Sequence, residues 1–300
     1  MSSAGRLGIG IISAGKVGAT LGNALRGQGH AIIGAYAASE DSQERLATLL
    51  PGVPALEITE IVERAELVLL AVPDDELAPL VAGLAKLSAW QAGQIVIHTA
   101  GRYGVEVLAP ARALGALCLA IHPAMTFTGT SLDVARLRGC PFAVTAPASL
   151  QPIGQALVAE IGGEPVIVAE ADRTAYHMAL SHGANHSVTL ISQSLQILEK
   201  IGIANPGEYL RPLIQAAVEG ALQSGDALLT GPISRGDTGS VAAHLQALQE
   251  LIEEDSSCVH TAATYRTLGI ATVARAAGRG KISESKAAEL LVLLTGEAAE

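Results

Sequence analysis

The first half of the chain alternates short apolar runs with segments of helical periodicity. Apolar runs of strand length, bounded by glycine, proline or small polar residues, are typical of strands buried in a parallel sheet. Such runs begin at Leu7, Ala31, Glu66, Gln94, Leu117, Pro141 and Glu164. The segments between them repeat apolar residues three and four positions apart, as amphipathic helices do. This alternation predicts an α/β domain built on a Rossmann-type parallel sheet.

The second half shows only helical periodicity. From Glu170 to the end, the pattern breaks at 202–206, 231–239 and 278–280, where glycine and proline collect. We therefore predict a Rossmann-like dinucleotide-binding domain over residues 1–170 and an all-helical domain over residues 171–300. The Ala-rich helices carry more apolar surface than one small domain buries, which predicts a homodimer.

A glycine-rich turn follows the first apolar run. Its residues are Ser13, Ala14, Gly15, Lys16, Val17 and Gly18. A strand, tight turn and helix in this order aim free backbone N–H groups and a helix dipole at a pyrophosphate. In the pattern G-x-G-x-x-G, the first glycine position falls on Ser13, which lacks the freedom of glycine at positive φ. The alternative is that the two glycines only allow tight packing.

The tip of the second strand selects between cofactors. A carboxylate there would bind the ribose 2′-hydroxyl of NAD, whereas a cation would bind the 2′-phosphate of NADP. The chain has Ala37, Ala38 and Ser39 at this point, with Arg45 a short way on. A Ser39 hydroxyl and an arginine suit a phosphate, so the sequence favours NADP over NAD.

Several polar residues follow other strands. Because the carboxyl ends of parallel strands line the ligand crevice, we expect Val72, Pro73 and Thr99 beside the cofactor. The same rule brings His122 to the crevice, at the end of the fifth strand. His98, one residue before Thr99, is either another site residue or a half-buried histidine bonded to backbone.

The first long helix of the second half carries a polar stripe. His177, Ser181 and Asn185 are spaced by four residues, which places them within roughly 80° of arc on a regular α-helix. His182 and His186 lie on another face, and their i, i+4 spacing could hold a metal. The motif lacks the glutamate of H-E-x-x-H and any evident third ligand, so we expect no metal site.

The loop 231–237 is unusually polar for this chain. Arg235 could bind a substrate carboxylate with two parallel hydrogen bonds, with Asp237 or His244 orienting it. Alternatively, Arg235 and Asp237 pair with each other and shape the loop.

Composition excludes some classes of partner. With 19 Lys and Arg against 29 Asp and Glu, the 300 residues have a formal net charge of −10, which argues against binding DNA or RNA. The three cysteines are far apart and predict neither a disulfide framework nor a zinc ribbon. No apolar run approaches the roughly 18 residues of a spanning helix, so we expect a cytoplasmic protein with no membrane partner.

Several of these stretches together resemble a known family over nearly the whole chain. They are 13–18, 72–75, 98–101, 120–127, Tyr176-His177 with Asn185, and 230–237. The chain resembles Rossmann-like proteins whose helical C-terminal domain is catalogued as a domain of unknown function. That family is similar in build to ketopantoate reductase, 3-hydroxyacid dehydrogenases, pyrroline-5-carboxylate reductase and deazaflavin-dependent NADP reductases. The resemblance implies a nicotinamide-binding domain and a helical domain that dimerises and completes the site.

One departure affects the expected chemistry. In the 3-hydroxyacid dehydrogenases, a lysine four residues before the asparagine transfers the proton, but here that position is Ser181. His177 is then the best candidate, because histidine titrates near neutrality, with His122 as the second. We expect an NAD(P)H-dependent oxidoreductase acting on a small, anionic 2-oxo or 3-hydroxy acid, for which the resemblance suggests ketopantoate. The alternative is a module that binds nicotinamide nucleotide without turnover, as a sensor or on a partner.

Overall fold

The computed structural model describes residues 6–296. The chain forms two compact units, one extending to Gly183 and the other starting at Ala184. The first unit is α/β and the second consists of helices and loops, which confirms the predicted fold class. The predicted domain boundary at residue 170 stays a prediction.

A seven-stranded sheet organises the first unit. Its strands are β1 (Gly8–Ile12), β2 (Ala31–Tyr36), β3 (Leu67–Leu70), β4 (Ile95–His98), β5 (Leu117–Pro123), β6 (Pro141–Thr145) and β7 (Glu164–Ile167). They are arranged in the order β2-β1-β3-β4-β5-β6-β7. The chain order reverses at β1 and β3, and ligands of such sheets bind at the carboxyl ends of the strands near this point.

One pair of strands runs against the parallel pattern. β1 to β5 are parallel, but β6 is antiparallel to β5 and parallel to β7. The backbone N–H of Ala124 donates to the carbonyl of Pro141 at 2.9 Å, so the end of β5 meets the start of β6. The connection between them stays at one end of the sheet instead of crossing it.

Helices cover both faces of the sheet. They are α1 (Lys16–Gly27), α2 (Glu40–Leu49), α3 (Ile58–Arg64), α4 (Asp74–Lys86), α5 (Ala109–Arg112), α6 (Leu132–Arg136) and α7 (Gln151–Glu160). Successive residues of β3 alternate between two cores, because strand side chains point to opposite faces. Leu67 and Leu69 pack with α1, α2 and α7, whereas Val68 and Leu70 pack with α3, α4 and α5.

The predicted helix over 172–200 is not one regular α-helix. It consists of α8 (Arg173–Leu180), a π-helical turn (Ser181–Asn185) and α9 (His186–Lys200). The stripe of His177, Ser181 and Asn185 was predicted for uniform α geometry, which the wider turn interrupts. Single π turns of this kind occur often at functional sites.

The second unit continues with α10 (Pro206–Ser224), α11 (Thr238–Glu254), α12 (Val259–Gly278) and α13 (Glu284–Thr295). Its core joins the last three of these helices through Val241, Val273, Ala276, Leu290 and Leu294, together with Ile282. The three predicted breaks all occur, the second of them beginning earlier, directly after α10, and one further break follows α11.

Candidate active site

The turn after β1 has the geometry of a phosphate-binding loop. Ser13 has a φ of +78°, the left-handed conformation that glycine would adopt without strain. The N–H of Ala14 donates to the carbonyl of Tyr36 at 2.8 Å, which fixes the turn against β2. Gly15 is the N-cap residue of α1, so no side chain caps the helix, and no acidic residue lies in its first turn. The amino end of α1 is therefore suited to an anion.

The two glycines of this turn have different reasons to be glycine. A Cβ on Gly18 would overlap the carbonyl oxygen of Ser13 and lie 3.0 Å from the Cβ of Ala71, so Gly18 is required by packing. A Cβ on Gly15 would approach only the Oγ of Ser13, at 3.5 Å. Nothing within the described chain uses the space above Gly15, which suits the close approach of a ligand.

An open cleft of about 390 Å³ lies over this turn. Of the predicted cofactor residues, Ser13, Gly15, Lys16, Ser39, Val72 and Pro73 line it. Buried Ala14 and Gly18 support the turn from below, and Val17 packs against the core. Thr99 lines a separate apolar cavity of about 30 Å³ beside α1 and α7, so it is not brought to this cleft.

Two cations border the cleft, together with the acidic Asp41 and Glu76. A Cβ on Gly129 would lie 2.8 Å from the Nε of Arg45 and 2.9 Å from the Cγ of Lys16, so both side chains flank that glycine. Within residues 6–296, neither Lys16 nor Arg45 forms an ion pair. Both charges are available to a ligand.

Ser39 has a structural task that the sequence analysis did not give it. Its Oγ accepts the N–H of Ser42 at 3.2 Å, and its own N–H donates to the Oγ of Ser42 at 2.9 Å. This reciprocal pair caps the amino end of α2. A phosphate at this point would therefore depend more on Arg45 than on the hydroxyl of Ser39.

The two predicted proton donors of the first unit lie side by side. The rings of His122, at the end of β5, and His177, in α8, are 6.2 Å apart and edge-on. Gly101 fits between them, since a Cβ there would lie 2.5 Å from the Cδ2 of His177 and 3.0 Å from the Nε2 of His122. The hydroxyl of Tyr176 lies 2.9 Å from the Nδ1 of His122. The structure thus groups these residues at the carboxyl ends of β4 and β5.

Electrostatics distinguish the members of this group. Burial lowers the pKa of His122 to about 4, and the charges of Arg173 and His177 act in the same direction. Burial raises the pKa of the Tyr176 phenol, so this group keeps its proton at neutral pH. Tyr176 is then the donor and neutral His122 the acceptor of the bond between them.

His98 is a fully buried histidine bonded to backbone. Its Nδ1 accepts the N–H of Ala100 at 3.2 Å, and its Nε2 lies 2.8 Å from the carbonyl of Gly104, to which it donates. Burial lowers its pKa to about 4, against the opposing effect of the Gly104 bond. His98 shapes the turn after β4 and does not face the cleft.

The remaining predicted site residues lie in or next to the second unit. Ser181 begins the π turn and exposed Asn185 ends it. Arg235 is exposed, and among the described residues it forms no ion pair with Asp237. The side chain of Asp237 instead caps α11, accepting the N–H of Ser240 at 3.0 Å. His244 pairs with the hydroxyl of Tyr265 at 2.9 Å.

Sequence reasoning missed Arg173, the largest fully buried side chain among residues 6–296. Its guanidinium bonds to groups on β5 and β6 and to the turn after β4. Arginine is mostly exposed in proteins, and nothing in its sequence context indicates otherwise. The only indication of a role for Tyr176 was the family resemblance, which includes it as the neighbour of His177.

The described residues contain neither a metal-binding cluster nor a helix that could span a membrane. No group of three or more His, Cys, Asp or Glu side chains within 6–296 is placed to hold a metal ion. No helix in that range combines the length and the apolar character needed to cross a bilayer.

Family models match the chain in two consecutive parts. Residues 2–123 match the Rossmann-like domain, and residues 140–272 match a domain of unknown function, DUF2520. The two matches together cover most of the chain, first with similarity to a Rossmann-like domain and then with similarity to DUF2520. This confirms the predicted resemblance at that level, and the finer relation to ketopantoate reductase stays a prediction. No curated protein matches the sequence.

Solved structures share the fold of both domains. BF3122 of Bacteroides fragilis, a proposed NADP oxidoreductase, superposes with a TM-score of 0.74 at 20% identity, over 89% of this chain and 98% of that one. TM1727 of Thermotoga maritima gives 0.63 at 21% identity, over 90% and 99%. An imine reductase of Myxococcus stipitatus in complex with NADP+ gives 0.58 at 20% identity, over 95% and 99%. At these identities the likeness shows the fold.

Proposed function

We propose that the chain is an NADP(H)-dependent reductase acting on a small 2-oxo or 3-hydroxy acid. The observation that carries this is the position of two sites on one edge of the sheet. The uncapped amino end of α1 follows β1, and the pair of His122 and His177 lies at the end of β5. β3 and β4 separate these strands, so their ends are about 14 Å apart. A dinucleotide extended along this edge would reach from one site to the other.

Three features support NADP as the cofactor. Residues 37–39 at the tip of β2 have no carboxylate for a ribose 2′-hydroxyl, with Glu40 and Asp41 just beyond them, and Lys16 and Arg45 are available for a 2′-phosphate. The space above Gly15 and the uncapped helix end fit a pyrophosphate. The imine reductase of Myxococcus stipitatus, of similar fold, is described in complex with NADP+. When bound, the reduced nicotinamide supplies a hydride.

The residues of this chain would supply the proton. The oxygen of an oxo acid gains negative charge as its carbon is reduced, and a proton from His177 neutralises it. His122 is poorly suited to this step, because burial keeps it uncharged. The half-buried position of His177 leaves it a route to solvent, from which it can regain the proton. The roles of Ser181 and Asn185 beside the substrate, and of Arg235, Asp237 and His244 in binding its carboxylate, remain part of this proposal.

The test follows NADPH absorbance with a panel of 2-oxo acids and of cyclic imines, with NADH in parallel. We expect turnover of an oxo acid with NADPH, and a loss of about 10²-fold or more in kcat for His177→Ala. Asn185→Ala should reduce activity as well, while His260→Gln, which changes an exposed histidine, should not. Unchanged activity in His177→Ala and Asn185→Ala would exclude these roles.

A second candidate is a module that binds the dinucleotide without turnover. The serine at the first glycine position and the absent lysine at position 181 favour it. Calorimetry separates the two functions, because tight NADPH binding without turnover of any substrate in the panel would support the sensor. No affinity for either nucleotide would exclude both.

A further inference from the structure

Arg173 is a buried cation held by backbone groups. Its Nε donates to the Oγ1 of Thr145 at 2.7 Å. Its Nη2 donates to the carbonyls of Ala120, at 2.8 Å, and Ala143, at 3.1 Å. Its Nη1 lies 3.5 Å from the carbonyl of Gly101. One side chain thus joins β5, β6 and the turn after β4.

No carboxylate within residues 6–296 forms an ion pair with this guanidinium. The nearest acidic influence is Glu170, whose carboxylate accepts the N–H groups of Val105 and Glu106. A buried charge without a paired countercharge is costly, and an apolar side chain could fill the same space. Packing alone therefore does not account for a charge at this position, and its electrostatic effect on the neighbouring titratable groups is the better explanation.

His122 is one of the neighbours that this charge affects. It lies on β5 two residues after Ala120, whose carbonyl accepts from Arg173, and it bonds to Tyr176, whose ring centroid is 5.9 Å from the guanidinium carbon. The titratable groups that surround His122 come from β4 and α8. They are His98, Arg173, Tyr176 and His177. None of them carries a negative charge at neutral pH that would favour an imidazolium.

We propose that Arg173 is a positioning residue for the two histidines. Its charge adds to burial in keeping His122 in the neutral form, which accepts a hydrogen bond from the Tyr176 hydroxyl at Nδ1 and carries its own proton on Nε2. Of the two adjacent rings, this leaves His177 as the proton donor of the proposed reduction. This last step rests on the proposed reductase function, whereas the state of His122 does not.

The experiment is ¹⁵N NMR of histidine-labelled, full-length protein, with the His122 signals assigned from His122→Gln. In the wild type, we expect Nδ1 without a proton, Nε2 with one, and no protonation of His122 down to pH 5. Arg173→Gln keeps hydrogen-bond donors but removes the charge, and it should raise the titration midpoint of His122 by about one pH unit or more. Arg173→Lys keeps the charge and should keep the midpoint low.

Three results would overturn the proposal. They are a His122 midpoint near that of free histidine, a proton on Nδ1, or an unchanged midpoint in Arg173→Gln. If Arg173→Gln does not fold, the proton positions and the titration midpoint of His122 in the wild type can still contradict the proposal. These NMR measurements need neither substrate nor cofactor. They therefore test the state of His122 independently of the proposed reductase activity.

Discussion

At the scale of single residues, the centre of the sheet combines polar side chains with apolar surroundings. His98 has no exposed surface, yet both ring nitrogens are bonded, one from Ala100 and one to Gly104. Both bonds require the neutral ring with its proton on Nε2, since a proton on Nδ1 would face a donor. Protonation would therefore break a bond and leave a charge buried.

His98 makes folding stability sensitive to acid. Its pKa is about 4 in the folded chain and 6.5 in its ordinary state, so the unfolded chain binds more protons between these values. Stability should be highest above pH 6.5 and fall as the pH drops towards 4, by about 2 kcal/mol for this group at pH 5. Urea denaturation at pH 7 and pH 5 measures the change.

His98→Gln provides the comparison for this prediction. Glutamine has no titration in this range, so the variant should lose less stability than wild type between pH 7 and pH 5, although it is less stable at both. His260→Gln, at an exposed position, should keep the full wild-type dependence. An identical pH dependence in wild type and His98→Gln would contradict the assignment.

Single residues were predicted unevenly, for physical reasons. His122 and His177 were predicted because histidine at a strand end or in a polar stripe indicates acid–base chemistry. Asp237 stays predicted beside the substrate carboxylate, and the structure adds a helix cap, a role that an aspartate three residues before Ser240 also fits. Arg173 depends on contacts with strands 28 to 72 residues away, which no local pattern reveals.

At the scale of elements, the connection between β1 and α1 is the proposed binding site of the pyrophosphate. Ser13 adopts a left-handed conformation that costs a non-glycine residue about 1 kcal/mol. Gly18 is packed against the backbone of this turn, while Gly15 faces open space. Packing therefore requires glycine at position 18, whereas glycine at position 15 leaves space for the proposed ligand.

This difference predicts opposite results for two alanine substitutions. Gly18→Ala should lower the free energy of unfolding by about 1–3 kcal/mol, because its Cβ overlaps the Ser13 carbonyl. Gly15→Ala should leave stability nearly unchanged but weaken NADP+ binding by about tenfold or more, because its Cβ occupies ligand space. Urea denaturation and calorimetry measure the two effects. Wild-type affinity in Gly15→Ala would contradict a pyrophosphate at this turn.

Most elements follow from periodicity and punctuation by glycine and proline. All seven strands were predicted, but the antiparallel pairing of β6 was not, because an apolar run does not show direction. The break after α11 was missed because it depends on Asp255, whose side chain accepts the N–H of Ser257, and not on glycine or proline. The π turn has no recognisable signal in residues 181–185.

At the scale of the whole molecule, α9 and α10 indicate a missing partner surface. Neither helix has a buried residue. Large apolar side chains on them are exposed, namely Val188, Leu190, Tyr209, Leu213, Val218 and Leu222. Many exposed apolar side chains on two consecutive helices are typical of an interface. We propose that a second copy of the chain covers it, as the composition of these helices predicted.

The homodimer has a matched pair of test variants. Leu213, on α10, and Leu87, after α4, are each 68% exposed. Leu213→Glu should weaken self-association by about tenfold or more, because it places like charges at the interface, whereas Leu87→Glu should not. Sedimentation equilibrium at micromolar concentration measures both. A monomeric wild type, or equal effects of the two variants, would contradict the proposal.

The division into an α/β half and a helical half was predictable from the change in period near residue 170. The family models do not test the position of this boundary, because the DUF2520 match begins at residue 140 and so includes β6 and β7. The identity of the substrate was not predictable, because it depends on side chains that different parts of the chain contribute.

We propose that an NADP dinucleotide binds along the carboxyl edge of β1 to β5. A crystal structure with NADP+ tests it most directly. We predict the pyrophosphate on the N–H groups at the start of α1, the 2′-phosphate against Arg45 or Lys16, and the nicotinamide ring beside His122 and His177. A nucleotide bound elsewhere, or a nicotinamide ring remote from both histidines, would contradict the account.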